Sequence, residues 1–223
     1  MSNTIIAGVG GQGTVLASKL LAQAALLEGH MVRTAETIGM AQRGGTVLGH
    51  VRITRESTFG GGRVDARTAA SSDAPLSPLI PEGTASLLIG FEPGETLRAL
   101  PFLRKGGAVV TAKQVLRPPT ASLGSKAYDG RAELDYLEAC LANRRIGSLI
   151  VVDGAALCQT LGSFKVLNVI LLGAALTLKS IEITQDSLAA ALETLVKPHY
   201  LELNKQALEA GINYAHVHEG EEA

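Results

Sequence analysis

Tryptophan is absent from this sequence and aromatic residues are scarce. The 223 residues contain no Trp, and Phe, Trp and Tyr together make up 4%. Aromatic rings are common platforms for stacking nucleobases, so a binding site built mainly on stacking is not expected. The formal net charge is only −1, from 20 Lys and Arg against 21 Asp and Glu. This balance gives no general attraction to nucleic acids or anionic membranes, and small molecules or other proteins are the expected partners.

Cysteine is also rare, which limits the metal chemistry of the chain. Cys140 and Cys158 are the two cysteines, and each lies in an apolar helical pattern without a metal-ligand neighbour. We expect both to be buried thiols that pack as small hydrophobic groups. An iron–sulfur cluster needs about four thiolates, so this chain cannot hold one alone. His216 and His218 lie in a polar tail that we expect to fray, and no metal site is predicted.

Long hydrophobic runs are missing as well. The most apolar later stretch, residues 166–178, is interrupted by Asn168 and Gly173 and is too short to span a bilayer. The start of the chain, MSNTIIAG, is predicted as a strand, where a signal peptide would need a basic region followed by an apolar run. We therefore expect no membrane association and a cytoplasmic protein.

The order of elements predicts an α/β fold. A strand at residues 4–7 is followed by a helix at residues 12–28 with apolar positions near a period of 3.6, and then by a second parallel strand at residues 30–35. Residues 46–53 alternate between apolar and polar, which predicts a half-exposed strand with Arg52 solvated on its polar face. The later runs ASLLIGF, GAVVTA and SLIVVD are continuously apolar, as expected for strands covered by helices on both faces.

These elements favour a single domain over residues 1–223. We predict a Rossmann-like, doubly wound and mostly parallel sheet. Residues 55–83 are rich in Gly, Ser, Asp and Pro and are predicted as an extended excursion. Residues 163–215 are predicted as a helical C-terminal extension.

A glycine-rich turn lies between the first strand and the first helix. It satisfies the pattern G-x-G-x-x-G in the context that a dinucleotide fingerprint requires. Backbone N–H groups in such a turn can face phosphate oxygens, and the helix that follows adds a partial positive charge at its N-terminus. One interpretation is that this turn contacts an anion or a partner's cofactor, through Gly8, Gly10, Gly11, Gln12 and Gly13.

Two other interpretations of the turn stay open. One is a complete NAD(P) site in a stand-alone oxidoreductase, with Glu36 in the position of the acidic residue that holds a ribose. The other is a structural corner in which glycines let the helix pack on the sheet. No Tyr-x-x-x-Lys pair, His–Asp couple or Cys nucleophile is found, so no catalytic residue is predicted and the NAD(P) site is disfavoured.

Two motifs in sequence resemble a known family. The run GVGGQGTVLASKLLAQAALLEGH, followed by AQRGGTVLGHVRI, is similar to the gamma subunits of 2-oxoacid:ferredoxin oxidoreductases. The resemblance continues through SPLIPEGTASLLIGFEPGE, residues 168–173 and residues 200–211, and so covers nearly the whole chain. SPLIP together with Glu92-Pro93 most resembles the indolepyruvate branch, whose small subunit is called beta. Ser86 and Gly162-Ser163 depart from the family's usual Asp and Gly-Asn.

The resemblance implies an activity that this chain does not perform alone. Members of the family catalyse the oxidative decarboxylation of a 2-oxoacid with coenzyme A, giving an acyl-CoA, carbon dioxide and reduced ferredoxin. Thiamine diphosphate, Mg²⁺ and the iron–sulfur clusters are expected on a partner alpha subunit, with no cofactor on this chain. Ferredoxin is reached through the complex, and self-association of the isolated chain stays open. We expect the interface or the face toward the active site to include Met40, Gln42, Arg43, Gly44 and Gly45.

The roles of two polar residues, Asp153 and Asn168, need separate explanation. Asp153 follows a predicted strand, where it could face a ligand, but capping the helix that starts at Gly154 explains it better. Asn168 lies in an apolar helical pattern and needs a hydrogen-bond partner if it is buried. We expect it to form a structural tie to a neighbouring loop.

Overall fold

The computed structural model describes residues 1–39, 45–54, 77–115 and 129–219. Within these ranges, the structure contains six strands and seven α-helices. The strands are β1 (Ser2–Val9), β2 (Met31–Ile38), β3 (Thr46–Thr54), β4 (Ala85–Gly90), β5 (Leu103–Ala112) and β6 (Ile146–Val152). The helices are α1 (Thr14–Leu27), α2 (Pro93–Ala99), α3 (Arg131–Ala142), α4 (Gly154–Thr160), α5 (Leu167–Thr177), α6 (Gln185–Leu195) and α7 (Pro198–Glu219), with short 3-10 turns at Leu100–Phe102 and Phe164–Val166.

The six strands form one mixed sheet in the order β2-β3-β1-β4-β5-β6. Strands β1, β4, β5 and β6 are parallel to one another. Strand β3 is antiparallel to both β1 and β2, so β2 runs in the direction of β1 but lies two strands away from it. The predicted α/β fold with a mostly parallel sheet and helices at the C-terminal end is confirmed. The insertion of an antiparallel strand beside β1 was not predicted.

Helices cover both faces of the sheet, as in a doubly wound fold. Adjacent residues of β1 point to opposite layers, since Ile6 packs in the core formed with α1 and α4–α7 and Ile5 packs in the core formed with α2 and α3. Continuous apolar runs in the parallel strands follow from this double coverage. Among the described helices, none has the length and apolar character needed to cross a membrane.

Helices α5 and α7 pack closely because each has a glycine at the contact. A Cβ atom on Gly211 would overlap the carbonyl oxygen of Ile170, and one on Gly173 would overlap the carbonyl oxygen of Leu208. Helix backbones can approach this closely only where no side chain separates them. The glycines at the ends of the motifs 168–173 and 200–211 therefore set the distance between two buried helices.

The prediction that β3 is half exposed with a solvated Arg52 is wrong. Arg52 is 9% exposed and His50 is 3% exposed. The segment 77–80 covers this face, because the Arg52 Nη1 group donates to the carbonyl oxygens of Ser77 at 2.9 Å and Leu79 at 3.2 Å. The N–H group of Ile80 donates to Nδ1 of His50 at 3.2 Å. The polar residues of β3 thus anchor the SPLIP segment.

Replacing Gly211 by Ala tests the α5–α7 contact. Alanine has a higher helix propensity than glycine by about 1 kcal/mol, but the added methyl group meets a backbone carbonyl that cannot move without displacing α5. Overpacking of this kind costs about 1–3 kcal/mol, so we expect a lower free energy of unfolding in urea denaturation. Asn213→Ala, at an exposed position of the same helix, is the matched control and should be neutral or slightly stabilising. Equal or higher stability of Gly211→Ala would refute the close contact.

Burial of His50 makes the stability depend on pH. Burial lowers the pKa of His50 below its ordinary value, and a protonated ring could not accept the hydrogen bond from Ile80. The unfolded chain therefore binds more protons just below pH 6.5, and the free energy of unfolding should fall as the pH drops through that value. His50→Asn keeps an acceptor but cannot titrate, so its unfolding free energy should fall less between pH 7 and pH 5. Identical pH profiles of the two proteins in urea denaturation would contradict this assignment.

Candidate functional site at the carboxyl edge of the sheet

The glycine turn joins the end of β1 to the start of α1. Gly11 has a φ of 99° and Gly13 a φ of 91°, values that favour glycine because a side chain would be strained there. The N–H group of Gly10 donates to the carbonyl oxygen of Gly45 at 2.9 Å, and that of Gln12 donates to the carbonyl oxygen of Val9 at 3.2 Å. Two of the backbone donors of the turn are therefore already used within the chain.

The side chain of Gln12 fills the crevice between β1 and β4. Its Oε1 atom accepts from the N–H group of Val9 at 2.6 Å, and its Nε2 atom donates to the carbonyl oxygen of Phe91 at 3.1 Å. This crevice is the point where the order of strands reverses, which is where open α/β sheets bind dinucleotides. Because both ends of the Gln12 amide are bonded to the backbone, the side chain closes the crevice between these strand ends.

Glu36 is not placed to complete a dinucleotide site. It lies on β2, where its partner across the ladder is Gly49 of β3, and Gly49 in turn pairs with Ile6 of β1. Neighbouring strands are about 4.8 Å apart, so Glu36 lies roughly 10 Å from β1 instead of on the strand beside it. Its side chain is exposed. The interpretation as an NAD(P) site is therefore not favoured.

Asn168 lies against the glycine turn, a proximity that sequence reasoning missed. The residue is 1% exposed in the first turn of α5, and its Nδ2 atom is 3.1 Å from where a Cβ atom on Gly13 would lie. Its Oδ1 atom has no hydrogen-bond partner in the part of the chain that the structure describes. The expected contact with a neighbouring loop is present as packing, without the expected hydrogen bond. A polar residue within an apolar helical pattern was the available signal.

Two helices begin at this edge without a side-chain cap. The N-cap residue of α1 is Gly13 and that of α5 is Val166, and neither gives a side-chain hydrogen bond to its helix. Helix N-termini carry a partial positive charge, and that of α5 follows the 3-10 turn Phe164–Val166, in which the Lys165 N–H group donates to the Ser163 hydroxyl oxygen. The geometry is compatible with an anionic group near Asn168, and the predicted role of the glycine turn as an anion contact stays a prediction.

The predicted interface segment lies mostly outside the described residues. This applies to Met40, Gln42, Arg43 and Gly44. Gly45 is described, and its carbonyl oxygen accepts the hydrogen bond from Gly10. The structure thus brings the end of the QRGG motif into contact with the glycine turn, although about 30 residues separate the two in sequence.

Asp153 is a helix cap, as predicted. Its Oδ1 atom accepts from the N–H group of Ala156 at 3.1 Å, which satisfies a donor at the start of α4. Its backbone N–H group donates to the hydroxyl oxygen of Tyr214, and that hydroxyl donates to the carbonyl oxygen of Val151. Tyr214 therefore fixes α7 to the end of β6.

The cysteines and histidines do not assemble into a metal site within the described ranges. Cys140 and Cys158 are buried and free, as expected, and burial raises the pKa of the Cys158 thiol to about 11. Helix α7 extends through His216 and His218 to Glu219, and residues 220–223 of the tail that we expect to fray lie outside the described residues. The helix continues there because no Gly or Pro interrupts the sequence between Ile212 and Glu219.

The chain is similar to the proteins of one known family. The described residues form an open α/β fold in which Gln12 lies in the crevice and Glu36 lies away from it. The chain matches the profile of the family "Pyruvate ferredoxin/flavodoxin oxidoreductase" over residues 3–214. It therefore belongs to that family.

Two curated relatives are similar over their full length. The indolepyruvate oxidoreductase subunit IorB of Archaeoglobus fulgidus is 35% identical over 214 residues, which cover 96% of this chain and 94% of the relative. The protein of the same name from Thermococcus kodakarensis is 31% identical, covering 96% of this chain and 95% of the relative.

Solved structures show the same fold at lower sequence identity. The gamma subunit of a keto/oxoacid ferredoxin oxidoreductase from Geobacter sulfurreducens superposes with a TM-score of 0.64 at 19% identity, covering 97% of this chain and 99% of that one. A 2-oxoglutarate:ferredoxin oxidoreductase from Magnetococcus marinus superposes with a TM-score of 0.63 at 16% identity. There the match covers 97% of this chain and 31% of the other, so the fold also occurs as part of a longer polypeptide.

Replacing Gln12 by Ala tests the closed crevice. The change leaves the N–H group of Val9 and the carbonyl oxygen of Phe91 without their partner, and unpaired buried groups cost about 1–3 kcal/mol each. We expect a loss of unfolding free energy in this range. Gln23→Ala, on a half-buried position of α1, should change stability by less. If Gln12→Ala is as stable as the native chain, or if NAD(P) raises the melting temperature of the native chain, the closed crevice is wrong.

Proposed function

We propose that this chain is the subunit without redox cofactors of an indolepyruvate-type 2-oxoacid:ferredoxin oxidoreductase. The observation that carries this proposal is that the similarity covers nearly the whole of this chain and nearly the whole of each relative. Four relatives, each named indolepyruvate oxidoreductase subunit IorB, are 28–35% identical and are matched over 94–97% of their own length. The subunit role comes from those names.

The proposed reaction is the coenzyme A-dependent oxidative decarboxylation of an arylpyruvate such as indolepyruvate. The bond between the carboxylate and the keto carbon breaks and releases carbon dioxide. The electron pair left on the former keto carbon passes to oxidised ferredoxin, and the acyl group forms a thioester with the sulfur of coenzyme A, whose thiol proton goes to solvent. Atoms and electrons balance with these reactants alone.

The cofactors of this reaction are proposed to lie on a partner alpha subunit. Thiamine diphosphate with Mg²⁺ supplies the carbanion chemistry and iron–sulfur clusters supply the electron path. The cysteine content supports this division, because the chain has two cysteines, both buried, and a cluster takes about four thiolates. Ferredoxin would then be reduced through the partner, and we expect the assembly in the cytoplasm.

The carboxyl edge of the sheet is the face that we propose for the partner. The glycine turn, the uncapped starts of α1 and α5 and the carbonyl group of Gly45 lie together there. The buried Asn168 amide has an acceptor without a partner among the described residues, and a group supplied from outside the chain could satisfy it. Arg43 would add a planar guanidinium that suits a carboxylate or phosphate.

The proposal predicts an inactive single chain and an active complex. The purified chain should be colourless and should not turn over indolepyruvate with coenzyme A and an electron acceptor. Co-expression with the alpha subunit should give a stable complex that reduces ferredoxin. Turnover by the isolated chain, or a co-expressed alpha subunit that neither binds the chain nor gains activity from it, would refute the proposal.

Arg43→Ala tests the proposed interface segment. Loss of a charge-assisted hydrogen bond costs about 1.5–3 kcal/mol, or roughly tenfold to a hundredfold, so we expect a reduction of that size in kcat/KM or in affinity for the alpha subunit. The melting temperature of the isolated chain should stay unchanged. Arg104→Ala is the control. Arg104 is exposed at the start of β5, at the end of the parallel strands that lies away from the carboxyl edge. Equal effects of the two substitutions would contradict the assignment.

A further inference from the structure

Strand β2 forms an outer edge of the sheet, and its outward backbone groups can be identified. The N–H group of Gly39 donates to the carbonyl oxygen of Thr46 at 2.8 Å, in the same register that pairs Met31 with Thr54. In an antiparallel ladder, hydrogen-bonded pairs alternate with non-hydrogen-bonded pairs. The odd-numbered residues of β2 therefore bond to β3, and the even-numbered residues present their N–H and C=O groups outward.

Among the described residues, this edge has little of the usual protection against pairing beyond the charged side chains of Arg33 and Glu36. Natural proteins protect edge strands with proline, bulges, lysine or a covering element. Strand β2 contains no Pro or Lys, pairs with β3 over eight residues without a register shift, and is exposed at all positions except the half-buried Val32 and Ala35. At the opposite edge, by contrast, the hydroxyl of Tyr214 bonds to the backbone of Val151 and Asp153.

The sequence of β2 is self-complementary in one symmetric register. Because only even-numbered residues point outward, a two-fold pairing of β2 with a second copy must place an even-numbered residue opposite an even-numbered one. With the axis at Ala35, Val32 faces Ile38 of the other copy and Thr34 faces Glu36, each pair occurring twice. In this register the apolar side chains of Val32 and Ile38 can pack against each other, and the Thr34 hydroxyl can donate to the Glu36 carboxylate. The central Ala35 pair is of the closely spaced, non-hydrogen-bonded kind, which a small side chain suits.

Two-fold pairings of β2 about neighbouring residues place less favourable side chains opposite each other. An axis at Arg33 would place two guanidinium groups opposite each other, and an axis at Glu36 would do the same for two carboxylates. Like charges directly opposite are destabilising. An axis at Thr34 would pair Glu36 with the apolar Val32. Charge and hydropathy therefore select the axis at Ala35.

We propose that two copies of this chain associate through β2, in antiparallel register about Ala35, to form one continuous sheet. Exposed apolar side chains at the same edge add to the buried area. Ile38 is 60% exposed and Met31 is 37% exposed, at opposite ends of β2. Leu26 and Leu27, at the end of α1 just before β2, are 55% and 51% exposed. This association does not depend on the proposed enzymatic function.

Cysteine cross-linking of the full-length chain tests the register. Cα atoms of a non-hydrogen-bonded pair lie about 4.5 Å apart, within the range that a disulfide spans. Ala35→Cys should therefore form a covalent dimer under mild oxidation. In the same register, position 34 faces position 36 and lies about two residues along the strand from its own copy, beyond disulfide reach. Thr34→Cys should cross-link far less, and the native Cys140 and Cys158 are buried.

A charge substitution tests whether the association needs this edge. Ile38→Lys places an ammonium group opposite Val32 at both ends of the pairing, and we expect the dissociation constant of the dimer to rise by about tenfold or more in analytical ultracentrifugation. Val217→Lys is the matched control because Val217 is 62% exposed on α7, and it should leave the constant unchanged.

Three results with the isolated chain would overturn the proposal. These are a native chain that stays monomeric at every soluble concentration, a dimer that Ile38→Lys does not weaken, and cross-linking of Thr34→Cys equal to that of Ala35→Cys. If β2 gains protection from hydrogen exchange only when the alpha subunit is added, the edge belongs to that partner and the pairing of two copies is also refuted. Loss of the dimer with retained activity of the complex would leave the proposed enzymatic function intact.

Discussion

The position of β3 between β1 and β2 determines much of this structure. In the usual dinucleotide-binding unit, the strand that follows the first helix lies beside β1 and places its acidic residue next to the glycine turn. Here an antiparallel strand occupies that place, and Glu36 is moved one strand further out. The same insertion brings Gly45, at the start of β3, to the glycine turn, where its carbonyl group takes the N–H group of Gly10. One change in strand order thus removes a ribose contact and joins two motifs.

The insertion also determines which surfaces are covered. Strand β3 is flanked by strands on both sides and lies under the segment 77–80, so its polar residues must find partners inside the protein. His50 and Arg52 do so through the backbone of that segment. Strand β2 is pushed to the outside of the sheet and has few neighbours except α1 and β3. A buried polar strand and a bare edge strand are two results of the same topology.

Much of the fold could be predicted from the sequence, because the main signals were local. Periodicity gave β1, α1 and the parallel strands, and the apolar character of β4 to β6 indicated helices on both faces. The cap at Asp153 is of a residue type that helix N-termini favour. Helix α2 ends at Ala99, because Pro101 follows and the chain passes through a 3-10 turn into β5.

What could not be predicted depended on contacts between distant residues. An alternating strand is half exposed only if nothing covers its polar face, and the sequence of β3 does not show that residues 77–80 lie on it. In the sequence, Gln12 is an ordinary residue of a glycine loop. Its role in joining the ends of two strands is visible only when Phe91 is placed beside Val9. Asn168 is about 155 residues from Gly13 and meets it only through the packing of α5 on α1 and the sheet. In each case, the sequence does not show which elements pack against each other.

At the closed crevice, a side chain of the protein itself lies where open α/β sheets bind dinucleotides. Displacing the Gln12 amide would leave two backbone groups at the strand ends unpaired. The glycine turn keeps the permissive backbone of its class, but two of its donors are used to hold the end of β1 and Gly45 together. The starts of α1 and α5 lie beside the turn at this rim of the sheet, where Thr14 and Asn168 are buried. A rigid rim of this kind can shape a neighbouring active site without taking part in bond breaking, since its groups are already in place before the partner arrives.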